Sequence, residues 1–272
     1  MTSINTNVGA LNARASAVRA TTGMEQAMER LSSGLRVNSA ADDAAGLSVA
    51  GKMESQLRGI NMSIRNAQDG VGLIQTAESG VNEIRNMVLR MRELAVQMAN
   101  GIYEDTPDRN NAQLEVTALI NQVTLIAENT RFNDVALLDG SFTTVNIQAG
   151  NTTAETIELS FVDMASSGLS IDSVSIATQS NATSALGTLD SALETIASEQ
   201  ATMGSLINRL NFSINNQSKA SVMTEQAVGR IMDSDFATET TNLSKQQILN
   251  QAATSMLAQA NQSKQSILAL LQ

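Results

Sequence analysis

The sequence predicts a mainly α protein, in which long antiparallel helices form a coiled-coil rod with one small β-hairpin region. Three observations carry that prediction. Aromatic residues make up 2% of the 272 positions and there is a single proline, although 42% of the chain is hydrophobic. Long helices run on Ala, Leu, Ile, Met and Gln, whereas a globular enzyme of this size packs around Phe, Tyr and Trp. Apolar residues recur at alternating steps of three and four over most of the length, the spacing of helices that pack along other helices. Strict alternation, the period of a strand, is confined to residues 130–181.

Ile4, Val8, Leu11, Ala15 and Val18 step by four and three, and the pattern resumes at Met24, Met28, Leu31 and Leu35. This predicts a first helix of about 30 residues, interrupted near Thr21-Thr22-Gly23. Gly34 reads as its stop, and Asn38-Ser39 opens a polar connector. Asp42-Asp43 could form a paired-carboxylate site. Ahead of a helical run, however, they read as residues that cap the next helix and complement its dipole. That helix starts near Ala44. Leu57, Ile60, Ile64, Ala67, Val71 and Ile74 form its first seam, and Val81, Ile84, Val88, Met91, Ala95 and Met98 form its second after a slip near Ala77. It spans some 55 residues, roughly 80 Å at 1.5 Å per residue. Gly70, Gly72 and Gly80 each cost about 1 kcal/mol relative to Ala in a helix, and so predict close backbone packing. The helix ends at Asn100-Gly101. Thr106 reads as an N-cap with Pro107 at the first helical position, and a helix follows to about Asn129 with Val116, Ile120, Val123 and Ile126 inward.

Val145–Gln148 and Thr156–Phe161 alternate across Ala149-Gly150-Asn151-Thr152-Thr153, which predicts a β-hairpin. Leu169, Ile171, Val174 and Ile176 suggest a further extended segment. From near Ala182, Leu186, Leu189, Leu193, Ile196, Gln200, Met203, Ile207, Leu210, Ile214 and Gln217 hold the heptad spacing without a slip. The methionines on these seams read as core rather than as a ligand groove. A polar break at Asp233-Ser234-Asp235 precedes a last helix, whose seam is Leu249, Ala253, Met256, Ala260, Ser263, Ile267 and Leu270. The first and last seams are similar in length and both want an apolar neighbour, so they are expected to pair.

The composition closes most routes to catalysis. With no cysteine and no histidine, the chain has no disulfide, thiolate nucleophile, imidazole base or Cys- or His-ligated zinc. No catalytic residue, metal ligand or cofactor site is assigned. Residues 1–20 lack the apolar run of a secretion signal, and no segment approaches the length of a membrane span, so membrane insertion is not expected. The net charge of −10 is concentrated in residues 101–180, where eleven acids meet only Arg109 and Arg131. No basic stripe exists to meet phosphates, which disfavours nucleic-acid binding.

Glu29-Arg30-Leu31-Ser32-Ser33-Gly34-Leu35-Arg36, Asn38-Ser39-Ala40 and Asp42-Asp43-Ala44-Ala45-Gly46 together resemble bacterial flagellin. So do Arg65–Gly70, Arg92–Gln97, Asp233–Glu239 and the run from Gln251 to Gln262. The motifs lie at both ends in the right order, and the resemblance covers essentially the whole chain. It implies a minimal flagellin of domains D0 and D1. Residues 1–40 would form the N-terminal D0 helix and spoke, 41–130 the N-terminal D1 helices and 131–181 the D1 hairpin region. Residues 182–232 would form the C-terminal D1 helix and 233–272 the C-terminal D0 helix. The implied function is a structural subunit that self-polymerises into the extracellular flagellar filament for swimming, with D0 lining the inner channel and D1 forming the tube.

The self-assembly residues expected on the terminal helices are Ile4, Val8, Leu11, Val18, Leu31, Leu35, Leu249, Met256, Ala260, Ile267 and Leu270. Family members leave the cell by type III export, with a chaperone on the C-terminal segment, and meet filament cap and hook-junction proteins. Recognition by the vertebrate innate receptor TLR5 is implied for Arg90, Leu94 and Glu115, with Arg92, Glu93 and Gln97 beside them. Lys264 stands where many relatives carry proline. The alternative is a hook–filament junction-type axial protein, which shares the end helices. An enzymatic flagellin would need a zinc-protease insertion with histidine ligands, and the sequence has neither.

Overall fold

The computed structural model describes residues 6–142 and 144–269, with no side-chain placement for 264 and 267–269. Ile4, Leu270 and the side chains of Lys264 and Ile267 therefore lie outside the described residues. Five helices dominate: α1 (Val8–Ser33), α2 (Ala44–Met98), α3 (Asn110–Asn129), α4 (Gln179–Met232) and α5 (Phe236–Ala269). Between α3 and α4 lie four short strands, β1 (Arg131–Phe132), β2 (Val135–Ala136), β3 (Val145–Gln148) and β4 (Thr156–Leu159). They pair as two antiparallel hairpins, β1 with β2 and β3 with β4. The mainly α class and the hairpin at Val145–Leu159 are as expected. The chain divides into two compact units, residues 58–221 and residues 1–57 with 222–272, and α2 and α4 contribute to both.

In the 58–221 unit the heptad seams form the core. Ile74, Val81, Ile84, Val88 and Met91 of α2 are fully buried, as are Leu189, Ile196, Met203 and Leu210 of α4 and Val116 and Val123 of α3. On α4 the fully buried positions alternate with half-buried Leu186, Leu193, Ile207 and Ile214. Full burial of one such side chain is worth about 1.5–3 kcal/mol, so this core alone can hold the unit together. Two of the three helix glycines are close-packing sites. A Cβ on Gly70 would meet Ile147 at 3.3 Å, and one on Gly80 would meet the Thr130 hydroxyl at 2.6 Å. Gly72 has no such neighbour within 4 Å.

Details of the connections in this unit refine the expectation. Thr106 is extended and joined to Pro107 by a cis peptide bond, and α3 begins only at Asn110 after a separate turn, Asp105–Arg109. The proline ring drives Thr106 to the extended region, the conformation an N-cap takes, and the residues after it lead into α3 in helical geometry. Arg109 is buried and ties this turn down, donating to the Met98 and Asn100 carbonyls, each at 2.9 Å, and pairing with Asp105 at 2.6 Å. Leu169, Ile171, Val174 and Ile176 are buried as their alternation implies, yet the segment is a series of turns. Its backbone bonds are local, Ile171 N–H to Ser166 O and Val174 N–H to Ile171 O, and Ser170 is left-handed. The β1–β2 hairpin is an addition. Asn133 and Asp134 both take positive φ, the geometry of a two-residue hairpin turn that Asn and Asp tolerate.

In the other unit, α1 and α5 pair as expected. α1 is not interrupted. Thr21 and Thr22 turn their hydroxyls back onto the Ala17 and Val18 carbonyls, and Gly23 leaves room for Gln246, whose side chain would sit 2.9 Å from a Cβ there. Gly34 ends α1 in the left-handed conformation. Asp43 caps α2 by accepting from Gly46 N–H at 2.8 Å. Asp42 does not cap it. Its carboxylate instead gathers the Asn38 and Ser39 N–H groups and the Ser39 hydroxyl of the preceding turn.

Candidate self-assembly surface

The terminal helices meet through a seam of small and polar residues. On α1 the inward positions are Ala10, Ala13, Ala17, Ala20, Met24, Ala27 and Leu31, with Ala20 and Ala27 buried and the others half-buried. On α5 they are Glu239, Leu243, Gln246, Asn250, Ala253, Leu257 and Ala260, with Glu239 and Ala253 buried. Both sets keep the three-and-four spacing but in a different phase from the large apolar residues. Small side chains let two helix backbones approach, and polar ones then reach across. Asn250 donates to the Thr21 hydroxyl at 2.8 Å, Asn7 donates to the Ala260 carbonyl at 3.1 Å, and Gly9 faces the Ala260 Cβ at 3.6 Å.

Several large apolar residues are left outside. Val8, Leu11 and Val18 are 56–58% exposed, and Leu249 and Met256 are 46% and 64% exposed. Met28, Phe236 and Ile248 join this outward set. Leu31 and Leu35 are half-buried, as is Ala260. The predicted seam residues therefore fall on two faces, with Val8, Leu11, Val18, Leu249 and Met256 outward and Leu31, Ala253 and Ala260 on the paired face. Gly9, Ala13, Ser16 and Ala253 line a groove whose larger members are Leu249 and Met256. A single protomer leaves this apolar surface in water.

Polar contacts fix the connections into both helices. Arg30 donates to Glu239 at 3.1 Å and lies 3.9 Å from Asp42, so α1, the connector and α5 share one charge node. Hydrogen bonds from Ser39 hold the Asp42 carboxyl below its usual range. Leu35 and Asp233 form an antiparallel bridge, flanked by Arg36 N–H to Met232 O at 2.6 Å and Ser234 N–H to Gly34 O at 2.9 Å. Asp235 caps α5, accepting from Ala237 N–H and from Thr238 through both its N–H and its hydroxyl. Those bonds, the Thr238 hydroxyl first, lower the Asp235 pKa. Sequence reasoning missed the Arg30–Glu239 node and the Gln246 and Asn250 contacts. The signal available was the second heptad phase, in which alanines and amides repeat every three and four residues.

The second predicted patch lies in the 58–221 unit. Arg90 spans α2 and α3, donating to Glu115 at 2.9 Å and to Glu93 at 3.2 Å, and these bonds raise its pKa. Leu94 lies beneath, 5% exposed, so the three residues come together but only Arg90 and Glu115 present themselves to solvent. Arg92 pairs with Asp190 of α4, and Gln97 reaches the Tyr103 hydroxyl at 3.4 Å. Among the described residues no group of acidic side chains is arranged to hold a metal ion, and no helix is long and apolar enough to cross a membrane.

Comparison with known proteins agrees across the chain. Residues 4–143 match the bacterial flagellin N-terminal helical region, and residues 186–271 match the bacterial flagellin C-terminal helical region. The chain is 41% identical to a flagellin of Halalkalibacterium halodurans over 98% of its length and 99% of the relative's. It is 36% identical to a flagellin of Bacillus subtilis, over 98% and 99%. Among solved structures it resembles the crystal structure of Bacillus cereus flagellin at 30% identity and a TM-score of 0.51, covering 56% of this chain and 88% of that one.

Proposed function

The chain belongs to the bacterial flagellin family, and from that premise we propose which of its surfaces build the polymer. It is a structural subunit of the bacterial flagellar filament, an extracellular appendage. The junction-type alternative is not favoured, since flagellins match it over nearly their whole length.

The proposal for assembly rests on one observation: the paired terminal helices turn their large apolar side chains outward. Val8, Leu11 and Val18 on α1 and Leu249 and Met256 on α5 are contacts to neighbouring subunits. Ile4, Ile267 and Leu270, whose side chains lie outside the described residues, remain assembly candidates on their sequence spacing alone. Ala260, Leu31 and Leu35 hold the helix pair and its connector together. Burying the outward residues yields about 25 cal/mol per Å² of apolar area, and a contact that does not close into a ring gives an open helical polymer. Residues 1–40 and 233–272 act as D0, lining the channel, with 41–130, 131–181 and 182–232 as D1. A lone helix pair of this kind is marginal in water, so about 1–40 and 235–272 order fully only in the filament. An export chaperone holds the C-terminal segment before assembly, and cap and hook-junction proteins meet the same end surfaces. Deleting 243–272 should leave a soluble protein that forms no filaments in negative stain, and filaments from that truncation would sink the reading.

A second contact is proposed at Arg90 and Glu115, with Leu94 supporting them from below, as the patch recognised by TLR5. The exposed ion pair across α2 and α3 supports it. In a reporter-cell assay, Arg90→Ala and Glu115→Ala monomers should signal less than the parent, and unchanged signalling by both would remove the patch.

A further inference from the structure

The sequence has no cysteine, histidine or tryptophan, which leaves methionine as the side chain that a peroxide oxidises by two electrons. The methionines span all environments, with Met24, Met53, Met87 and Met232 half-buried. Met91, Met98, Met164 and Met203 are buried, whereas Met28, Met62, Met223 and Met256 are exposed. Of the exposed four, Met256 alone lines the apolar groove of the terminal helices, beside Leu249 and across from Gly9 and Ala13. We propose that Met256 is an oxidation site through which hydrogen peroxide and related peroxides control assembly of the free subunit.

This inference rests on the terminal helices being the assembly surface. The thioether sulfur attacks one peroxide oxygen, the O–O bond breaks, an S–O bond forms, and the other oxygen leaves as water. Sulfur is oxidised by two electrons and peroxide is reduced by two. The sulfoxide is polar and demands hydration, so seating it in an apolar contact carries the cost of a buried polar group without a partner. Methionine sulfoxide reductases reverse the change, two thiols supplying the two electrons and the oxygen leaving as water. In the polymer the same sulfur lies under a neighbouring subunit, so oxidation acts before assembly rather than after it. Gly9, Ala13, Leu249, Ala252 and Ala253 give the groove around Met256 its apolar lining, with Asn12 and Ser16 as its polar members.

The test uses the full chain. Hydrogen peroxide is added to monomers and to preformed filaments, oxidation is mapped by peptide mass spectrometry, and polymerisation is followed against protein concentration. Met256 should oxidise in monomers ahead of Met91 and Met203, and should be protected in filaments. Oxidised parent should need about tenfold more protein to polymerise, and sulfoxide reductase should restore it. Met256→Leu should polymerise to the same extent before and after the same treatment, its own untreated protein being the reference, and Met256→Gln should reproduce the defect without oxidant. Equal oxidation in monomer and filament, or oxidised Met256 with parental polymerisation, overturns the proposal. If Met256→Gln polymerises normally while the 243–272 deletion does not, this inference fails and the assembly reading stands. If the deletion polymerises, the assembly reading itself has failed.

Discussion

The two units of this chain solve the same heptad pattern in opposite ways. In residues 58–221 the large apolar residues point inward, and Ile74, Ile84, Met91, Leu189, Ile196 and Met203 are all fully buried. In the unit of the terminal helices, the buried hydrophobic residues among those described are Ala20, Ala27, Val37, Ala50 and Ala253, and Val8, Leu11, Val18, Ile248, Leu249 and Met256 face water. One unit is complete within a single chain and the other is not. The difference shows that a heptad seam on a sequence marks an interface without saying whether the partner lies in the same molecule.

Substitutions can break or sharpen that contrast. The largest effect belongs to the complete core: Leu189→Ala or Ile196→Ala should destabilise the monomer by about 3 kcal/mol, read by chemical denaturation. Leu11→Ala or Val18→Ala should shift monomer unfolding by less than about 0.5 kcal/mol while weakening polymerisation, and a core-sized loss in the monomer would erase the contrast. Next, Ala20→Leu or Ala27→Leu overpacks the small-residue seam and should destabilise the assembled protein by about 1–3 kcal/mol per subunit, read from the melting of filaments by circular dichroism. No change would mean that α1 and α5 do not meet through this face. Gly34→Ala forces a side chain into a left-handed position with φ of 74°. It should cost about 1 kcal/mol, visible as a lower melting temperature of the same filaments.

The smallest effect concerns Glu199, a carboxyl buried against α4's own core face that accepts only from Val162 N–H and has one oxygen without a partner. Burial raises its pKa above the ordinary value. The folded state therefore holds the proton more tightly than the unfolded chain. That contribution to stability is fully present below the unfolded carboxylate range and is lost as pH rises through the raised value. Glu199→Gln should stabilise the 58–221 unit at neutral pH and flatten this part of its pH dependence in denaturation curves. An unchanged slope would show that Glu199 is solvated.

Much of the fold was legible because helices of this length declare themselves. The bounds of α2, the unbroken seam of α4, the stop at Gly34 and the β3–β4 hairpin all follow from period and turn chemistry. Local backbone competition explains what was misread. The alternation from Leu169 to Ile176 records burial in turns rather than pairing in a ladder. The site was legible in part. Its residues were identified as apolar and periodic, but Val8, Leu11 and Val18 were expected to face α5, and they face away from it.

By itself the sequence determined the helical class, the places where helices end, the absence of thiol and imidazole chemistry, and the family. Each of these depends on residue type and spacing along one chain. Only the tertiary structure decided which of two heptad phases on α1 and α5 closes first. Alanine, glycine and amide side chains allow a closer approach and cross-helix hydrogen bonds, so that phase is satisfied within the molecule. The larger residues, one step around each helix, are left for a neighbour.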